Sequence, residues 1–163
     1  MLTLANIRPA SRSDTPQMAA LLNEIIAIGG TTAFEDPVSA DDLAQWYLGA
    51  DAWCCHVAVD SAGDIAGYQA LERTDAYGPG IGEISTFARQ SPVVKGTGTA
   101  LFDATKAAAR AAGLATINAK IRADNVPGLA YYSKMGFLDH SVIPGVPLGD
   151  GTPVDRILRR YQL

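Results

Sequence analysis

Histidine, cysteine and basic charge are scarce in this chain, and each scarcity closes a class of function. His56 and His140 are the only histidines, and Cys54 and Cys55 the only cysteines, among 163 residues. Adjacent cysteines on a strand point to opposite faces, where a mutual disulfide is strained, so they read as core filling. Neither a tetrahedral zinc site nor a Cys-His nucleophilic pair can be built from these residues at sensible spacing, and no metal is expected. Lys and Arg number 13 against 17 Asp and Glu, a formal charge of -4. Nucleic-acid binding normally needs a basic surface, so no nucleic-acid partner is expected, and an amine suits this balance better. No stretch reaches roughly 18 consecutive apolar residues, and Met1 to Asp14 lacks a basic segment followed by an apolar core. Neither a membrane span nor a secretory leader is expected, and the chain reads as cytoplasmic.

What is present is ample apolar material, 48% of the residues, enough for one domain over residues 1–163 with a good core. Asn6-Ile7-Arg8 opens as a short strand. Asp14 with Gln17 reads as a capping box for a helix whose Met18, Leu21, Leu22, Ile25 and Ile26 share a face until Gly29-Gly30. Thr31 to Pro37 is a loop, and Ser39 with Asp42 starts a second helix carrying Leu43, Trp46 and Tyr47 to Gly49. Trp53 to Val59 and Ile65 to Leu71 form a hairpin around Ser61-Ala62-Gly63-Asp64, and Gly82 to Arg89 is a further strand. The next helix places Ala100, Leu101, Ala104, Ala108 and Ala111 on one face and stops at Gly113. Thr116 to Arg122 is a strand, Asn125 to Met135 a helix, Gly136-Phe137 turns into another strand, and Asp155 to Tyr161 closes the chain. Pro144 to Pro153 has loop composition. The order β-α-α-β-β-β-α-β-α-β-β predicts an α/β fold with a mixed, partly antiparallel sheet.

Val94-Lys95-Gly96-Thr97-Gly98-Thr99 lies where a strand gives way to an alanine-rich helix. Glycines let the backbone approach a ligand, and the free N–H groups and positive end of the helix favour an anion. A plain tight turn is the alternative. No Gly-x-x-x-x-Gly-Lys-Ser/Thr spacing exists, and a Rossmann turn would end in Gly or Ala where Leu101 stands. The pyrophosphate of coenzyme A is the remaining candidate.

This turn after the fourth strand, together with Asn125-x6-Tyr132-x3-Gly136-Phe137 after the fifth, resembles the GNAT superfamily of acyl-coenzyme A dependent N-acetyltransferases across nearly the whole chain. Gly30-Thr31-Thr32-Ala33-Phe34-Glu35, Pro37-Val38-Ser39 and Glu83-x-Ser85 look like its phosphinothricin and L-amino acid acetyltransferase branch. The resemblance implies a GNAT fold of about seven strands flanked by about four helices, acetyl-CoA as cosubstrate, a small-molecule amine as acceptor and a homodimer. The sequence departs from the family at Val93, where a basic or amide residue is usual.

By the same resemblance, Glu83 is the general base that relieves the incoming ammonium of its proton, and Tyr132 the general acid for the departing thiolate. Tyr131 is the rival acid, and packing is the plain alternative for both. Val94, Lys95, Gly96, Thr97, Gly98 and Thr99 would cradle the phosphates, Lys95 being otherwise a solvated lysine. Thr86, Phe87 and Ala88 would offer backbone groups to the pantetheine arm, with an amide near Phe87 facing the reacting carbonyl oxygen. Asn125 would contact the coenzyme arm, act as a helix cap, or both. Phe34, Glu35 and Tyr77 are candidate acceptor contacts on loops, the first two otherwise a packed anchor and a solvated acid. Two other readings stay open: a coenzyme-sensing module without turnover, and an acetyltransferase of a protein or aminoglycoside amine.

Overall fold

Alternating and helical periodicities resolve into seven strands and four helices in the computed structural model, which describes residues 1–163. Strand β1 (Leu4–Pro9) leads through a 3-10 turn into α1 (Thr15–Ile28) and α2 (Ala40–Leu48). Next come β2 (Ala52–Asp60), β3 (Ile65–Arg73), β4 (Ile81–Ala88), α3 (Thr97–Ala111) and β5 (Thr116–Arg122). Helix α4 (Val126–Met135), β6 (Leu138–Pro147) and β7 (Pro153–Gln162) complete the chain. One sheet runs β1-β2-β3-β4-β5-β7-β6, antiparallel throughout except for the parallel pair β4–β5. The expected element order and mixed sheet are both present.

Side chains alternate across the sheet and separate two cores. On one face Tyr68, Ala70 and Phe87 pack under α1 and α2, against Met18, Leu22, Leu43 and Tyr47. On the other, Leu71, Ile84, Ile117, Ala119 and Ile121 pack under α3 and α4, against Phe102, Ala109 and Tyr132. Cys55 belongs to the first core and Cys54 borders the second, as alternation requires. Burial pushes their thiols up to about 12 and about 11 respectively, so neither is a thiolate at neutral pH.

Three local expectations need correction. The Ser39–Asp42 box forms, with each side chain bonded to the other's backbone N–H at 3.0 Å, but Asp14 and Gln17 do not form one. The Asp14 carboxylate accepts from Ser11 N–H at 2.8 Å and from both terminal nitrogens of Arg8, while Gln17 accepts from Ile65 N–H at 3.0 Å. The Arg8 guanidinium therefore holds the Asp14 carboxyl down at about 2. The buried face of α3 carries Leu101, Phe102, Thr105 and Ala109, whereas Ala100, Ala104 and Ala108 are only half-buried and Ala111 is exposed. Phe102 stacks edge-on with Tyr161 at 5.1 Å and tilts against Phe137 at 5.3 Å, and that bulk orients the helix. The segment from Pro144 to Pro153 is partly strand, because β6 continues to Pro147 and Gly145 N–H bonds the Asp155 carboxylate at 2.8 Å.

The parallel junction positions the site. β4 and β5 pair only at Ile81↔Thr116, Gly82↔Ile117 and Glu83↔Asn118, and no β5 partner accompanies the rest of β4.

Candidate active site

Where β4 leaves β5, half of its backbone groups lose their neighbour. Arg89 N–H donates to Ala66 C=O at 2.8 Å, which marks Arg89 and Ala66 as a hydrogen-bonded antiparallel pair in the β3–β4 register. By alternation, the groups of Phe87 and Ser85 are spent on β3, and those of Thr86 and Ala88 face the widening gap. Gln90 Nε2 takes the Ala88 carbonyl at 2.9 Å. Of the strand amides near Phe87, that of Thr86 therefore faces the gap, while Phe87 turns its backbone toward β3 and its ring into the core beside Tyr68 and Phe34.

The turn before α3 opens toward the same region. Gly96 caps the helix in the left-handed conformation with φ +88°, and the amides of Lys95, Gly96, Gly98 and Thr99 find no acceptor in the chain. Four free donors at the positive end of a 15-residue helix suit a pyrophosphate. Val94 and Thr97 are buried and hold the turn instead, Thr97 Oγ1 donating to Val94 C=O at 2.7 Å. Lys95 is exposed, and so is Val93, at 71%. Arg89 does not replace the missing basic residue at Val93. Its guanidinium bonds the Asp60 carboxylate at 2.8 Å and the Pro92 carbonyl at 3.0 Å, which keeps Asp60 below the usual carboxylate range. Gly98 is small for a reason other than ligand approach, because a Cβ there would lie 2.6 Å from the Tyr131 ring.

Tyr131 and Tyr132 converge on β4 from α4. Tyr132 is 7% exposed, packs edge-on with Phe137 at 5.0 Å, and brings its hydroxyl to 2.9 Å from Thr86 Oγ1. The Tyr131 hydroxyl donates to Gly98 C=O at 2.7 Å and accepts from Gln69 Nε2 at 3.0 Å. Gln69 is fully buried and also donates to Thr86 Oγ1 at 2.9 Å, so one amide ties both tyrosines to the gap. Burial pushes Tyr131 up to about 12 and Tyr132 higher still, and both keep their protons at neutral pH. Asn125 has both ends engaged, accepting from Gly128 N–H at 2.9 Å and donating to Thr31 C=O at 3.0 Å. It is a helix cap that also anchors the loop after α1.

Glu83 lies on the opposite face, under α1 and α2. It is directly across from Glu72 on β3 and Asn118 on β5, and Lys120 Nζ stands 3.8 Å from its carboxylate. Burial, then the charges of Glu83 and Asp51, push Glu72 up to about 7. Tyr77 is half-buried, and its proton is held more tightly through burial and Glu83, with Arg160 opposing. Phe34 stacks on Trp46 at 5.6 Å, and Glu35 accepts from Gly149 N–H at 2.9 Å. These two anchor the wall rather than project from it. Glu72, Gln69, Asn118 and Arg160 were not legible beforehand, because only strand register sets them beside Glu83 and Thr86.

Glu72 carries a measurable stability signature. A carboxyl whose pKa is higher folded than unfolded binds its proton more tightly in the fold, so stability falls as pH rises through about 7. Discounted for its partial solvation, Glu72→Gln is expected to raise unfolding free energy by about 1 kcal/mol at pH 8. It should change little at pH 4. Urea melts at both values check this, and an equal shift at the two would remove the electrostatic cause.

The comparisons agree with this geometry. Residues 19–137 match the family model described as Acetyltransferase (GNAT) family. The L-methionine sulfoximine/L-methionine sulfone acetyltransferase of Pseudomonas aeruginosa is 30% identical over 148 residues, 87% of this chain and 85% of that one. Among solved structures, the phosphinothricin acetyltransferase of Sinorhizobium meliloti in complex with AcCoA superposes with a TM-score of 0.85 at 22% identity, over 99% of this chain and 89% of its own. The ribosomal-protein-alanine N-acetyltransferase of Brucella melitensis superposes at 0.83 and 20% identity, over 98% and 100%. With a sheet that parts at its parallel junction, a helix that begins with free amides, and a family model matched over residues 19–137, the chain belongs to the GNAT acetyltransferase family.

Proposed function

We propose that this chain, working as one catalytic domain, transfers an acetyl group from acetyl-coenzyme A to the primary amine of an amino acid or amino-acid analogue. The observation that carries the reading is the gap at the β4–β5 junction, flanked on one side by Thr86 and Tyr132 and on the other by Glu83. The free amides of Lys95, Gly96, Gly98 and Thr99 fit the pyrophosphate, and the outward groups of Thr86 with the N–H of Ala88 fit an extended amide-bearing arm. When bound, acetyl-coenzyme A supplies the acetyl group as a thioester. Glu83, with Glu72 beside it, attracts the ammonium and takes its proton, directly or through water, freeing the nitrogen lone pair for attack. Thr86 N–H can donate to the carbonyl oxygen. Tyr132 delivers a proton to the leaving sulfur. Tyr131 is the poorer acid because its hydroxyl proton is committed to Gly98 C=O.

The amino-acid preference is supported by the relative named for L-methionine sulfoximine and L-methionine sulfone. A homodimer through β6 is supported by Leu138, Val142 and Ile143, exposed on the sheet's last strand, and a monomer in sedimentation would dismiss it. The function is tested by thiol release from acetyl-coenzyme A with amino acids, methionine sulfoximine-like analogues, polyamines, aminoglycosides and peptides as acceptors, alongside calorimetric coenzyme binding. Turnover confined to amino acids and their analogues is expected. Tight coenzyme binding without turnover on any amine would mark a sensing module, and preference for peptides or aminoglycosides would replace the acceptor class.

A further inference from the structure

Four side chains stand in one row across the sheet. Glu72 pairs with Glu83, Glu83 with Asn118, and Asn118 with Arg160, and residues directly opposite on neighbouring strands share a face. The row therefore carries two carboxylates at one end and a guanidinium at the other, with an amide between. Asn118 is fully buried, and its two polar atoms behave differently. Oδ1 accepts from Arg160 Nε at 2.8 Å, while Nδ2 has no partner. That bond fixes the guanidinium through its inner nitrogen and leaves both terminal nitrogens uncommitted. No carboxylate of the chain pairs with Arg160, although Arg8, Arg89, Arg122 and Arg159 each have such a partner. Burial first, and then the charge of Glu83, hold the proton of the half-buried Tyr77, with Arg160 opposing.

Resting on the amino-acid reading above, we propose that Arg160, oriented by Asn118, binds the α-carboxylate of the acceptor while Glu83 and Glu72 receive its ammonium. A guanidinium with two free N–H edges meets a carboxylate bidentately, which a lysine cannot do. Two strand spacings separate Glu83 from Arg160, roughly 10 Å between backbones. The bond to Asn118 Oδ1 draws the guanidinium inward toward β5, which shortens the span an α-amino acid must bridge. Arg160 is the specificity-determining residue and Asn118 its positioning residue.

The test compares an α-amino acid with the same amine lacking its carboxylate and with the corresponding carboxamide, in the wild type, Arg160→Gln, Arg160→Lys and Asn118→Ala. Steady-state kinetics are accompanied by calorimetric binding of each acceptor to the coenzyme A complex. Arg160→Gln is expected to raise KM for the amino acid about 10- to 100-fold, the loss of one charge-assisted pair, with kcat and the carboxylate-free amine nearly unaffected. Arg160→Lys should recover part of the loss, and Asn118→Ala should reproduce it in KM alone. If the wild type turns over the carboxylate-free amine as efficiently as the amino acid, or if Arg160→Gln weakens all acceptors alike, the proposal is overturned while the acetyltransferase stands. If no amine is acetylated, calorimetry decides separately: equal amino-acid affinity in the wild type and Arg160→Gln overturns the carboxylate reading.

Discussion

Glu83→Gln is expected to lower kcat for the amine by about 10²- to 10⁴-fold, the usual contribution of a placed base, with coenzyme affinity unchanged. Glutamine keeps the shape and the hydrogen-bonding span but cannot accept the proton. The Glu83 side chain is 25% exposed and its ion pair with Lys120 is long, at 3.8 Å, so losing that pair costs the fold less than about 1 kcal/mol. The deficit is therefore chemical. Glu72 makes the prediction sharper. Ionising one carboxylate opposes ionising the other across the strand pair, and Glu72 is already pushed up to about 7. Glu72 sits directly across from Glu83, so at saturating amine its ionisation near 7 should appear as a step in kcat. Glu72→Gln removes the titrating group and should abolish this step. A step that persists would assign the titration elsewhere. A Glu83→Gln enzyme within about threefold of wild type would remove Glu83 from the proton path, since a placed base contributes far more.

Much of the architecture was legible because local signals agreed with the global fold. Ser39 and Asp42 make the box their spacing announces, Gly96 takes the left-handed turn before α3, and Cys54 and Cys55 divide between the two cores. The misses share a cause. Asp14 has the composition of a cap but is taken by Arg8, a partner that only the turn between β1 and α1 brings near. The face of α3 follows Phe102 and its aromatic neighbours rather than the alanines, because burial of one large ring outweighs that of several methyl groups. Pro144 and Gly145 have loop composition, yet an edge strand tolerates proline, and a register shift between Ile143 and Val146 accommodates the glycine. At the candidate site, Glu83 and Tyr132 were named by family resemblance, and the fold sets them on opposite faces of β4 beside its junction with β5. Glu72, Asn118 and Arg160 could not be named beforehand, since each matters only through the residue across from it, and pairing between strands so distant in the chain is invisible to a local pattern. Phe87 illustrates the limit within one residue. Its position on the strand was right, but the parity of hydrogen bonding, set by β3, turns its backbone away from the gap.

That parity also separates the two tyrosines. The backbone of Thr86 faces the gap and its hydroxyl meets Tyr132 at 2.9 Å, so the Tyr132 hydroxyl is held beside the atoms that would line the reacting end. Tyr131 spends its proton on Gly98 C=O, at the phosphate end. Its ring fills the space a side chain at position 98 would need. Tyr132→Phe is therefore expected to lower kcat by about 10²- to 10⁴-fold, as loss of a placed acid does, and to leave coenzyme affinity unchanged. The lost bond to Thr86 should cost the fold about 1 kcal/mol. Tyr131→Phe should act in the opposite sense, keeping kcat within a small factor while weakening coenzyme binding as the Gly98 carbonyl loses its donor and the turn loosens. The ratio of the two effects is diagnostic because both variants remove one hydroxyl from the same hydrogen-bonded network. A poorer leaving group tests the acid directly, since it widens the gap between wild type and Tyr132→Phe if that hydroxyl protonates the sulfur. Should Tyr131→Phe instead carry the loss in kcat, the hydroxyl on Gly98 must exchange partners during turnover, and Tyr132 would be left as a packing residue that holds Thr86 and β4 in place.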